Sequence, residues 1–121
     1  MAAPRHNANG HRRRELVKRV KAEETHCALC GEWVDKALTT TPGGHGPKCP
    51  GGVCPGCIPH PRRGEVDEDI PRSRGGSPYN RPNCHLMHRE CNQFKSDLTL
   101  AEAKAKRAGT TRRTISTSGI W

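Results

Sequence analysis

"EVDEDIPRSRGG", residues 65–76, sets four carboxylates into five positions and then turns to Pro, Arg and Gly. Lys and Arg outnumber Asp and Glu by 21 to 12 in this chain, for a formal charge of +9. Such a local concentration of acid is either a solvated turn offset by Arg62, Arg63, Arg72 and Arg74 or the cradle of a cation. The flanking pattern bears on the choice. "GEVDE" reads as a short strand and "NCHLMH" as a second, with "RSRGGSPYNRP" as the long turn between them. From His88 the pattern becomes helical through about Ser96, so residues 65–96 predict a strand, strand, helix unit and an α+β fold. Thr99 with Glu102 forms a capping box that opens a further helix, "LAEAKAKRA", which Gly109 ends.

Outward from this unit, "HRRRELVKRVKAEE", residues 11–24, spaces Leu16, Val17 and Val20 for one face of a basic helix. Residues 1–10 read as a disordered tail, with Asn9 as a candidate helix cap. Residues 39–64 form an insert rich in Pro and Gly that is ordered only if something clamps it. Residues 109–121 read as a second tail whose Trp121 packs back on the domain. The single domain thus spans 11–108.

Only 31% of the 121 residues are hydrophobic and ten are proline, so a core this thin needs another staple. Seven cysteines is an odd number, and the N-terminus has no apolar stretch resembling a signal peptide. Thiolate ligands in a reducing cytoplasm are therefore expected, in preference to a disulfide framework. No apolar run reaches membrane-spanning length, so no membrane partner is expected. The excess of positive charge predicts a nucleic-acid partner, and the near absence of aromatic platforms favours duplex backbone over single strands.

Cys27 and Cys30 form a CxxC followed by Gly31, and His88 and Cys91 form an HxxC at the start of a helix. Together they make a Cys3His set for a structural zinc, which supplies the folding free energy that the core lacks. The insert carries a second set, His45, Cys49, Cys54 and Cys57, whose spacing suits a second zinc; plain unliganded thiols are the alternative. A redox reading of "CPGC" requires a helix to follow, and "IPHPRRG" is not one. Cys84 on the second strand is expected to be a small packed residue. On the helix, His88, Cys91, Asn92 and Lys95 share one broad face, with Cys91 and Asn92 about 100° apart. The helix thus turns thiolate and imidazole toward a zinc and the Asn92 amide toward the strand carrying "EVDE".

"EVDEDIPRSRGG", then Asn83, then "HRECNQFK" resembles the HNH endonuclease motif, over roughly Cys27 to Lys95 and with both zinc half-sites included. It closely resembles small HNH proteins of bacterial viruses and their actinobacterial relatives. The resemblance implies a ββα-metal fold in which Asp67 and Asn92 hold a catalytic Mg²⁺ or Mn²⁺ and Asn83 holds the loop by side-chain hydrogen bonds. Glu68 falls where most of the family has the histidine that acts as general base. Three readings of it stay open: base, additional metal ligand, or mark of a site that only binds. Were Glu68 a ligand, His60 or His85 would be the base. Neighbouring strand residues point to opposite faces, so Asp67 and Glu68 reach one ion only if the strand bends or ends there.

Arg72, Arg74 and Lys95 are expected to hold phosphates around the scissile bond, with Arg12, Arg13 and Arg14 and then Lys18, Arg19 and Lys21 extending the footprint along duplex DNA. The resemblance implies phosphodiester hydrolysis in DNA, in the host cytoplasm, beside a phage terminase in genome packaging. The alternative is a zinc-stabilised DNA-binding or adaptor module with an impaired nuclease centre.

Overall fold

The computed structural model describes residues 2–109, with side chains from residue 9 onward. The expected tail beyond residue 109 and Trp121 lie outside the described residues. The described residues form a small α+β unit of one two-stranded sheet and three helices. Helix α1 is Ala2–Glu23, strand β1 Gly64–Glu68, strand β2 Cys84–His88 and helix α2 Arg89–Lys95. A third helix, α3, covers 100–109.

The first helix corrects the expectation of a tail at 1–10. It starts at Ala2, and both Asn9 and Gly10 lie inside it. Pro4 falls in the first turn, where backbone N–H groups have no intrahelical acceptor in any case, so it does not obstruct the start. Leu16 and Val20, one turn apart, are buried on one face of α1.

The strands pair antiparallel with Val66 opposite Leu86 and Asp67 opposite His85. Alternation then sorts the side chains. Val66, Glu68, Cys84, Leu86 and His88 share one face, and Glu65, Asp67, His85 and Met87 share the other. Arg13 of α1 meets Glu68 on the first face, while Asn92 and Lys95 of α2 meet Glu65 and Asp67 on the second. The hairpin is therefore clasped on both sides. Leu16, Val20, Leu29, Val34, Leu86, Met87 and Ala103, with Cys27, Cys84 and Cys91, make up the buried hydrophobic cluster. Cys84 is fully buried, as a small packed residue should be.

Between the strands the chain turns through two 3-10 segments, Arg72–Arg74 and Arg81–Asn83. Gly76 is required there. A Cβ at this position would lie 1.6 Å from the Ile70 carbonyl oxygen.

The capping box forms as its spacing dictates: the Thr99 amide donates to Glu102 Oε1 at 2.9 Å and the Glu102 amide to Thr99 Oγ1 at 3.1 Å. Arg74 reaches across to the same carboxylate. Its guanidinium, followed by the Thr99 amide, holds the Glu102 carboxyl down at about 2, against an ordinary 4.5. A depressed folded-state pKa stabilises the fold above the ordinary carboxylate range, and that stabilisation is lost as pH falls from about 4.5 through about 2. Melting temperatures of the parent and Glu102→Gln proteins are thus expected to differ at neutral pH and to converge by pH 2. The difference will be small, because the pair is exposed and screened by solvent.

The insert is closed at its base by pairing of Thr40 with Pro59 and by the Thr41 amide on the Ile58 carbonyl at 2.8 Å. The end of the insert is tied to α2, the Arg89 amide donating to the Arg63 carbonyl at 2.9 Å. Among the described residues no helix is long and apolar enough to cross a membrane.

Candidate functional site

Cys27, Cys30, His88 and Cys91 converge, each offering a ligand atom within 4.8 Å of the others. The knuckle works because Gly31 sits at φ 79° and returns the chain so that the Cys27 amide meets the Glu32 carbonyl at 2.8 Å. His88 Nε2 donates to the Trp33 carbonyl at 3.0 Å, which leaves Nδ1, 3.4 Å from Cys30 Sγ, with its lone pair toward the thiols. Burial pushes the Cys27 thiol up, but the amides of Cys30, His88 and Leu29 outweigh it and bring it below its ordinary range. Burial, then the Cys27 thiol, push Cys91 well up. Three thiols and an imidazole, nearly closed to solvent, fit a tetrahedral zinc. His45, Cys49, Cys54 and Cys57 form a second group that meets the same distance limit and is able to hold a metal ion.

Asn83 holds the turn through its side chain. Oδ1 accepts from the Ile70 amide at 2.9 Å, and Nδ2 donates to the Ile70 and Ser77 carbonyls at 3.1 and 3.2 Å. Strand β1 ends at Glu68, next to this turn.

On the α2 side of the hairpin, Asn92 Nδ2 donates to Glu65 Oε1 at 3.1 Å, so the amide does point to the "EVDE" strand. Arg63 and Arg89 both reach Glu65 Oε2, at 2.8 and 3.0 Å. Burial raises the Glu65 pKa, but Asn92 and the two guanidiniums outweigh it and hold the carboxyl below its ordinary range. Sequence reasoning missed Glu65 as the hub, although its position two residues before Asp67 on one strand face was the signal. Asp67 does not meet Asn92 directly. Its Oδ2 lies 2.9 Å from Lys95 Nζ, and Lys95 is 1% exposed. The contact is an ion pair whose angles give neither atom a proper hydrogen bond. This corrects Lys95 as a phosphate contact, since a sealed ammonium cannot reach DNA.

Glu68 takes the opposite face. Its carboxylate lies 3.6 Å from Arg13, whose guanidinium also donates to the Pro78 and Val66 carbonyls at 2.7 and 3.1 Å. Arg13, expected on DNA, is thus occupied in joining α1 to the hairpin. Burial pushes the Glu68 pKa up, Arg13 opposes that, and the adjacent Asp67 carboxylate adds to the rise. Glu68, Arg13, Arg72, Pro78 and Tyr79 line a cleft of about 460 Å³.

Of the two alternative histidines, His85 has Nδ1 2.7 Å from Asp69 Oδ1, and His60 Nδ1 accepts from the Arg62 amide at 3.0 Å within its own turn. The exposed cations left for a polyanion include Arg14 and Arg72, with Lys18 3.5 Å from Glu15 and Arg12 stacked on the Tyr79 ring at 4.4 Å. Arg74 is tied to Glu102. Lys21, Lys36 and Arg63 line a further cleft, of about 420 Å³, that opens on Glu65 and Asn92. Comparison with protein-family models, curated proteins and solved structures finds no match, so the residues above carry the functional reading alone.

Proposed function

We propose that this protein is a metal-dependent DNA endonuclease of the HNH type that hydrolyses phosphodiester bonds. One observation carries the reading. A hairpin and its following helix place Asp67, Glu68 and Asn92 around one sheet, with Asn83 locking the turn and Cys91 of the same helix in the Cys3His group. Asp67 and Asn92 offer the hard oxygen donors that suit Mg²⁺ or Mn²⁺, and such an ion, when bound, stabilises charge on the phosphate and the leaving oxygen. Because Asn92 Nδ2 is committed to Glu65, the amide oxygen is the atom left for a cation. Glu68, next to Asp67 in the chain but turned to the opposite sheet face, lines a cleft with Arg72; in this reading Glu68 orients water or accepts its proton and Arg72 holds a phosphate. The resemblance to viral proteins extends the proposal to work beside a terminase during genome packaging.

A second reading has its own observation. Asp67 and Glu68 are each matched to a cation of the chain itself, Lys95 and Arg13. That pairing suits a zinc-stabilised DNA-binding module whose nuclease centre is impaired. Supercoiled plasmid with Mg²⁺ or Mn²⁺ separates the two. The endonuclease nicks or linearises it, while Asp67→Ala and Glu68→Gln are expected to lose at least about tenfold in rate with zinc content unchanged. An uncut plasmid with every metal, together with duplex binding that weakens steeply with salt, assigns the binding module instead.

A further inference from the structure

Residues 39–60 are an ordered arm with no core of their own. None of the buried hydrophobic residues comes from this stretch, Val53 at its tip is fully exposed, and Ile58 is 40% exposed. The backbone nevertheless takes a defined and costly path, with Gly43, Gly51, Gly52 and Gly56 all at positive φ. At Gly56 a Cβ would lie 2.1 Å from the Thr41 carbonyl oxygen, so the two limbs of the arm touch backbone to backbone. Fixing such a segment costs conformational entropy that apolar burial here does not offset.

What the arm does contain is a convergent donor set. Ligand atoms of His45, Cys49, Cys54 and Cys57 lie within 4.8 Å of one another, and Cys49 Sγ is 3.3 Å from His45 Nδ1. We propose that these four residues hold a second zinc ion, separate from the first, and that this ion orders the 39–60 arm.

The consequence reaches the candidate site. The base of the arm, where the His60 amide meets the Thr39 carbonyl at 3.1 Å, continues into Leu38 and Thr39. Those two residues form a wall of the 420 Å³ cleft that opens on Asn92 and Glu65 beside Lys21, Lys36 and Arg63. Metal in the arm therefore sets that wall, whatever chemistry the cleft performs. Its exposure also differs from that of the first group: His45 is exposed and its three cysteines are half-buried, against three buried ligands around Cys30. The arm's ion is the one a chelator reaches first.

The test uses the full chain, purified reduced, with zinc counted by native mass spectrometry and order followed by hydrogen–deuterium exchange. Two zinc ions per chain are expected. In the Cys54→Ser/Cys57→Ser double variant the count falls to one, amide exchange rises across 39–60, and residues 64–95 stay protected. Cobalt substitution checks that the remaining site is intact, since the variant keeps one tetrahedral Co²⁺ spectrum. A parent chain that holds one ion in excess zinc overturns the proposal. So does a variant whose arm stays as protected as the parent's, or one that loses both ions together.

Discussion

Replacing Cys91 with serine, or stripping metal with a strong chelator, is expected to unfold the hairpin together with the helices packed on it. The magnitudes decide this. A structural zinc in a small domain contributes about 10–16 kcal/mol near neutral pH, whereas a whole domain is stable by about 5–15 kcal/mol. Among the described residues, ten buried hydrophobic side chains, three of them cysteines, leave little margin once that contribution is gone. The chemistry points the same way. Burial and the neighbouring thiols push Cys91 well up, so without metal the site favours protons and an uncharged thiol. A zinc ion held there would displace those protons and tie the knuckle at Gly31 to the start of α2. Far-UV circular dichroism and zinc content of the Cys91→Ser protein check the expectation. A cooperative melt within a few degrees of the parent would mean that the Cys3His group is not the staple.

Asp67→Ala is expected to cost about 3–5 kcal/mol, because it leaves the sealed Lys95 ammonium without its counter-charge. Lys95→Met is expected to cost less. The Met side chain refills much of the volume, and Asp67, at 20% side-chain exposure, still meets water. For a domain of this size the Asp67→Ala loss corresponds to a fall in melting temperature of more than about 12 °C. The double variant should recover most of it, since neither charge is then stranded. Thermal melts of the three proteins test this. Equal and additive losses for the two single variants would show that the ion pair is not coupled. The same comparison guards the nuclease assay: loss of cleavage in Asp67→Ala counts as chemistry only where the variant is folded at the assay temperature.

Much of the architecture obeys rules that act over a few residues. Thr99 and Glu102 meet because three residues separate them at a helix start, and "GEVDE" and Cys84–His88 pair as strands across a turn that only glycine at 76 permits. Asn92 points at the "EVDE" strand because the helical angle between it and Cys91 leaves no other direction. Convergence of Cys27 and Cys30 with His88 and Cys91 was likewise implied by ligand type and spacing. The start of α1 was not, since a Pro and a Gly near a terminus read locally as a tail, although Pro4 in a first turn removes no helical hydrogen bond.

By itself, then, the order of residues determined the strand, strand, helix unit, the two metal-ligand groups and the excess of positive charge, all properties of spacing, periodicity or composition. Which cation answers which carboxylate was decided only in three dimensions. Arg13 lies 55 positions before Glu68 and reaches it because α1 packs across one face of the hairpin, while α2 on the other face delivers Lys95 to Asp67 and Asn92 to Glu65. Alternation along a strand states that Asp67 and Glu68 part company, but not what each will meet. The partner of a charge depends on which element packs on that face, and a charge sealed by that packing must be matched there or not be buried at all.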